Sequence, residues 1–70
     1  MVELKINELV KQVRIHKKLS QTEFAESHGR KTHMSVYKWE KDSKFVPKDV
    51  LLQSLQYFKK NISESVNIIM

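Results

Sequence analysis

Five side chains recur along one short stretch at spacings of 1, 3, 1 and 3: His33, Met34, Tyr37, Lys38 and Lys41. On a helix of 3.6 residues per turn these intervals fall on one face. That face mixes hydrogen-bond donors with apolar groups, instead of the Glu/Lys mixture that only solubilises a helix. Val36 and Trp39, at i and i+3, form the other face, and their spacing suits core packing better than base stacking by Trp39. Other chemistry is poorly provided for. His16, His28 and His33 include no i, i+4 pair and the chain has no cysteine, so no metal site is expected. No nucleophile–base pair or phosphate-cradling glycine loop stands out, so neither catalysis nor a cofactor is expected.

The charge around this stretch suggests what its face would meet. The 70 residues carry 13 Lys and Arg against eight Asp and Glu, a net charge of +5. Residues 11–48 hold ten of the basic residues and only four of the acids, so the centre carries the whole excess and the two ends are nearly neutral. A polyanionic partner is the natural reading. A chain of this length is expected to form one domain over residues 1–70, burying only about 60% of its unfolded surface. No disulfide can help it. A single glycine and a single proline argue against a turn-rich all-β fold. No apolar run approaches the roughly 20 residues of a membrane span, and no signal-peptide pattern opens the chain. A cytoplasmic location and no membrane partner are expected.

Several elements must position the face. Val2, Ile6, Leu9, Val10 and Val13 share one helical stripe, with Glu3, Lys5, Glu8, Lys11 and Gln12 opposite, while Leu4 and Ile15 fall off it. Ser20 and Glu23 form a capping box, and Leu19 and Phe24 have the spacing of a hydrophobic staple, so a second helix spans about 21–28. Gly29 then stands where a left-handed residue would end it. Thr32 is a candidate N-cap for a third helix over about 33–42, and Asp42-Ser43-Lys44 has loop character. Pro47 suits the first turn of a fourth helix, whose stripe is Val50 (or Leu51), Leu52, Leu55 and Phe58. The last stretch fits a short helix capped by Ser63 that buries Val66 and Ile69; β-branched Val66, Ile68 and Ile69 could also pair as a strand. The helical reading is preferred, which makes the fold class all-α with four to five helices.

Two short helices, joined by a turn containing glycine and preceded by a stabilising helix, describe a helix-turn-helix unit. The sequence resembles the lambda-repressor-like, or Xre/Cro-type, helix-turn-helix DNA-binding family from about Leu9 to Phe58. Arg14 followed by Leu19-Ser20-Gln21-Thr22-Glu23-Phe24-Ala25 is similar to the family's R-x(4)-L-S-Q-x-x-(apolar)-A opening. Ser35-Val36-Tyr37-Lys38-Trp39-Glu40 resembles its T-I-S-x-W-E recognition-helix signature, and Pro47 with Leu52, Leu55 and Phe58 resembles its fourth helix. One departure stands out: Gly29 to Val36 is one residue longer than the family's spacing, and Arg30-Lys31 replaces the apolar residue that usually follows the glycine. An inserted residue there lengthens the turn.

The resemblance implies a compact four- to five-helix domain with helix-turn-helix at the second and third helices, about 20–42. It places base contacts at His33, Met34, Tyr37 and Lys38. Lys38 would donate to guanine O6/N7 and Met34 or Tyr37 would touch a thymine methyl, although Tyr37 could instead pack under the fourth helix. Gln21 would contact a phosphate and brace the recognition helix. Arg30, Lys31, Lys41, Lys44 and Lys48 are candidate phosphate clamps, which position without reading sequence. Arg14 and Glu40 would form a partly buried ion pair between the first and third helices.

The expected function is a Cro-like transcriptional repressor, bacterial or phage-encoded and nucleoid-associated, binding a pseudo-palindromic double-stranded operator as a homodimer. One recognition helix reads only about 4–5 base pairs, so two-fold symmetry is needed to lengthen the site. The dimer surface is expected at 61–70, where Ile62, Val66, Ile68, Ile69 and Met70 exceed the needs of a small core. An antitoxin-like module, whose main partner is a protein and whose DNA binding is autoregulatory, is the alternative.

Overall fold

Leu4, which fits no helical stripe, marks a strand. A computed structural model describes the backbone of residues 2–69 and the side chains of residues 3–69. Its elements are β1 (Val2–Lys5), α1 (Ile6–His16), α2 (Gln21–Ser27), α3 (His33–Lys41), a 3-10 turn (Ser43–Phe45), α4 (Lys48–Asn61) and β2 (Val66–Ile69). In β1, Leu4 packs against the core while Glu3 and Lys5 face solvent, the alternation of a half-buried strand. In β2, Val66 and Ile68 turn inward while Asn67 and Ile69 are exposed. The two strands pair in parallel, Val2 opposite Val66 and Lys5 opposite Ile69. Parallel pairing needs a long crossover, and here the whole helical body supplies it.

Two expectations are therefore corrected. Residues 2–5 are not the first turn of α1, and residues 66–69 form a strand, not a helix capped by Ser63. The domain is compact and mostly helical, with four α-helices and a two-stranded sheet among the described residues, so all-α is not its full description.

The core joins every helix. Leu9, Val10 and Val13 of α1 meet Phe24 and Ala25 of α2, Val36 and Trp39 of α3, and Val50 and Phe58 of α4. The stripe of α4 runs through Val50, Ser54 and Phe58, at i, i+4 and i+8. Leu51 and Leu55 flank it, and Leu52 faces outward, contrary to the expected stripe. The Ser54 hydroxyl is buried and has no hydrogen-bond partner among the described residues. A buried polar group left unpaired costs about 1–3 kcal/mol, and alanine is also the better helix former. Ser54→Ala is therefore expected to raise stability by about 1 kcal/mol, read as a higher urea midpoint at unchanged slope. A lower midpoint would mean that the hydroxyl is satisfied in solution.

The helix ends follow local chemistry. At the start of α2, the Ser20 hydroxyl accepts from the Glu23 amide at 3.1 Å and the Glu23 carboxylate accepts from the Ser20 amide at 2.9 Å. These bonds hold the Glu23 carboxyl below its ordinary range, the Ser20 backbone bond contributing most. Gly29, at φ +74°, closes α2 with bonds from its own amide to Glu26 O and from the Arg30 amide to Ala25 O, so its left-handed backbone is what requires glycine there. Lys18 does the same for α1 at φ +59°, which is uncommon for a side chain with a Cβ. Thr32 takes the N-cap position of α3 without a side-chain capping bond, and Pro47 stands just before α4 instead of in its first turn.

Candidate nucleic-acid interface

α3 is held from behind by an aromatic and ionic mount. Val36 and Trp39 are buried. The Trp39 ring meets Phe24 and His28 edge to face, at centroid distances of 6.4 and 5.9 Å. Burial, followed by the nearby Lys17 charge, holds the His28 pKa below the ordinary histidine value. Beyond Trp39, Glu40 receives the Arg14 guanidinium: Nε donates to Oε2 at 2.6 Å and Nη2 to Oε1 at 3.3 Å. Arg14 Nη1 also donates to Leu19 O at 3.0 Å, so one side chain ties α1, the loop before α2 and α3 together. Such a forked contact fixes orientation as well as distance.

The end of α3 is tied to the start of α1. Asn7 Nδ2 donates to Glu40 O at 3.2 Å, and the Ser43 hydroxyl donates to Asn7 Oδ1 at 2.9 Å. The same hydroxyl accepts from the Asn7 amide at 3.2 Å, satisfying one of the free donors of the α1 N-terminus. The 3-10 turn therefore has a fixed position against α3.

The outer face of α3 is open. His33, Met34, Tyr37, Lys38 and Lys41 are all exposed, Met34 at 49% and Tyr37 at 46%, so Tyr37 is not packed under α4. Met34, Tyr37, Lys38 and Lys41 line a cleft of about 380 Å³ with Asp42 and Phe45, whereas His33 lies outside its lining. The Lys41 ammonium stands 5.7 Å from the Tyr37 ring centre, and that of Lys44 stands 5.3 Å from the Phe45 ring centre. Lys44 is also 3.8 Å from the Asp42 carboxylate.

The remaining candidates are less tightly grouped. Gln21 is half-buried, its amide 3.5 Å from Glu40 Oε1, so it touches the mount of α3. Arg30 is half-buried, with its guanidinium 5.6 Å from the Trp39 ring centre and Nη1 donating to His28 O. This occupies much of the side chain expected to clamp a phosphate. Lys31, in the turn, and Lys48, at the start of α4, are exposed. At the C-terminal end, Val66 and Ile68 are used by the chain's own core, leaving Ile62 and Ile69 as the exposed members of the expected dimer surface. Met70 lies outside the described residues.

Phe45 was not among the expected site residues, yet it is half-exposed and lines the cleft. Its one sequence signal is an aromatic residue directly after a polar, turn-forming Asp42-Ser43-Lys44. Among the described residues no group of three His, Cys, Asp or Glu is placed to hold a metal ion. No family model, no curated protein and no solved structure matches the chain.

Proposed function

We propose that this chain is a sequence-specific double-stranded DNA-binding regulator of the lambda-repressor-like, Cro-like kind, with α2 and α3 as its helix-turn-helix and α3 as the reading helix. The supporting observation is the two-sidedness of α3. Val36, Trp39 and Glu40 are locked into the domain, while Met34, Tyr37, Lys38 and Lys41 stand exposed within the segment that carries the whole positive excess. A reading helix must have this division, because it enters a major groove without leaving its own domain. Lys38 supplies a donor for guanine O6/N7, and Lys31, Lys41, Lys44 and Lys48 supply exposed charge for phosphates.

Lys38→Ala is expected to weaken binding to a preferred duplex by about 1–3 kcal/mol and to relax preference at one base position, as measured by titration against single-base variants. An unchanged affinity and preference would remove α3 from the reading role. The regulator acts as a homodimer in this reading, since two-fold symmetry sets two reading helices about one DNA turn apart. Exposed Ile62 and Ile69, beside a two-stranded sheet whose outer edges carry no further strand among the described residues, support a C-terminal interface. Ile69→Asp is expected to convert dimer to monomer in sedimentation. A dimer that survives it would move the interface elsewhere.

A further inference from the structure

Three large apolar side chains that water would normally exclude converge on one place. Met34, Tyr37 and Phe45 are each about half exposed, and all three line the cleft between α3 and the 3-10 turn. Clustered exposed apolar groups mark a binding surface. The rim of this one is cationic: Lys38 and Lys41 line it, Lys41 stands over the Tyr37 ring and Lys44 over the Phe45 ring. The one acid in the lining, Asp42, is 3.8 Å from the Lys44 ammonium and is offset by it. Phe45 is also held in place, because its amide donates to Asp42 O at 3.2 Å and the Asp42 side chain accepts from the Lys44 amide at 3.1 Å.

An apolar floor inside a positive rim needs an occupant with apolar groups set between rows of negative charge. The major groove offers this wherever it carries thymine, whose 5-methyl group projects between the phosphate backbones. We propose that Phe45 reads DNA alongside α3, forming with Met34 and Tyr37 an apolar cleft that accepts pyrimidine 5-methyl groups. The preferred half-site therefore carries thymine where it faces the cleft. At about 380 Å³ the cleft has room for more than one methyl. This inference rests on the DNA-binding reading and adds a specificity residue from outside the reading helix.

The test uses the full chain and a duplex selected from a random pool, with each thymine replaced singly by uracil, which lacks only the methyl. One or two neighbouring positions in each half-site are expected to lose about fourfold in affinity, the equivalent of about 0.8 kcal/mol for one buried methyl. Cytosine placed there should gain affinity on 5-methylation. Phe45→Ala, at an exposed position, is expected to abolish the thymine–uracil difference while leaving the salt dependence unchanged. A selected half-site without thymine, equal binding of thymine and uracil duplexes, or a methyl preference intact in Phe45→Ala would each overturn the proposal. Equal binding would leave the cleft to an apolar side chain of a protein partner. Failure to bind any duplex at low salt would remove the DNA-binding reading itself.

Discussion

Trp39→Ala is expected to destabilise the domain by about 3–5 kcal/mol, the cost of removing a fully packed indole from a core that collapses only in part. The indole is 3% exposed, is met edge to face by Phe24 and His28, and has the Arg30 guanidinium over its ring. A domain of 70 residues has a total stability of only about 4–10 kcal/mol, so the variant should be largely unfolded under mild heating. Trp39 is the only tryptophan, so the loss is read by far-UV circular dichroism in urea instead of by fluorescence. Trp39→Phe keeps most of the packing and is expected to lose much less. A drop below about 1 kcal/mol for Trp39→Ala would mean that the residue is not the anchor of α3.

Arg14→Ala is expected to cost about 3 kcal/mol. The Arg14 and Glu40 side chains are only 16% and 9% exposed, so removing the guanidinium leaves a nearly buried carboxylate whose one remaining polar contact among the described residues is that of Gln21 at 3.5 Å. An uncompensated buried charge is what makes breaking such pairs expensive, typically about 3–5 kcal/mol; the residual exposure puts this pair at the lower end. The pair itself is not expected to contribute much over an apolar substitute. Arg14→Met with Glu40→Leu should therefore recover most of the loss, and a double-mutant cycle between the two sites should show strong coupling. If Arg14→Ala proves neutral, the fork is a surface contact and the orientation of α3 is set by Val36 and Trp39 alone.

What could be read from the sequence was what is local. Both ends of α2 are written within a few residues of themselves, Ser20 with Glu23 at one end and Gly29 at the other, and the structure realises both. Val36 and Trp39 are buried, and the residues between them exposed, as the 3.6-residue period requires. The first strand was missed for a specific reason, whereas β-branched Val66, Ile68 and Ile69 had left a strand open at the other end. Val2 and Ile6 are four residues apart, which satisfies a helical stripe and a period of two equally well, so only the misfit of Leu4 spoke for a strand. The pairing of β1 with β2 joins opposite ends of the chain, and no local signal encodes it. The stripe of α4 was displaced because it includes a serine: Ser54 occupies a core position that a search for apolar periodicity assigns elsewhere.

The site divides in the same way. The outward set on α3 is a property of one helix and was visible as a spacing, and the Arg14–Glu40 pair was implied by resemblance and is present at 2.6 Å. Phe45 belongs to no period. It becomes part of the cleft only because Ser43 and Asn7 fix the turn against α3, a contact between residues 36 positions apart. Arg30 shows the converse: a basic residue in the right segment, but with its guanidinium turned toward Trp39 and the end of α2.

Selection of bound sites from a pool of random duplex DNA tests the proposed DNA-reading role of α3 most directly. A two-fold symmetric pair of half-sites, about one helical turn apart between centres, is the predicted outcome. Affinity for the selected duplex should fall as salt rises, with a slope set by the phosphates contacted. Recovery of the starting pool with no enriched sequence would contradict sequence-specific recognition by α3.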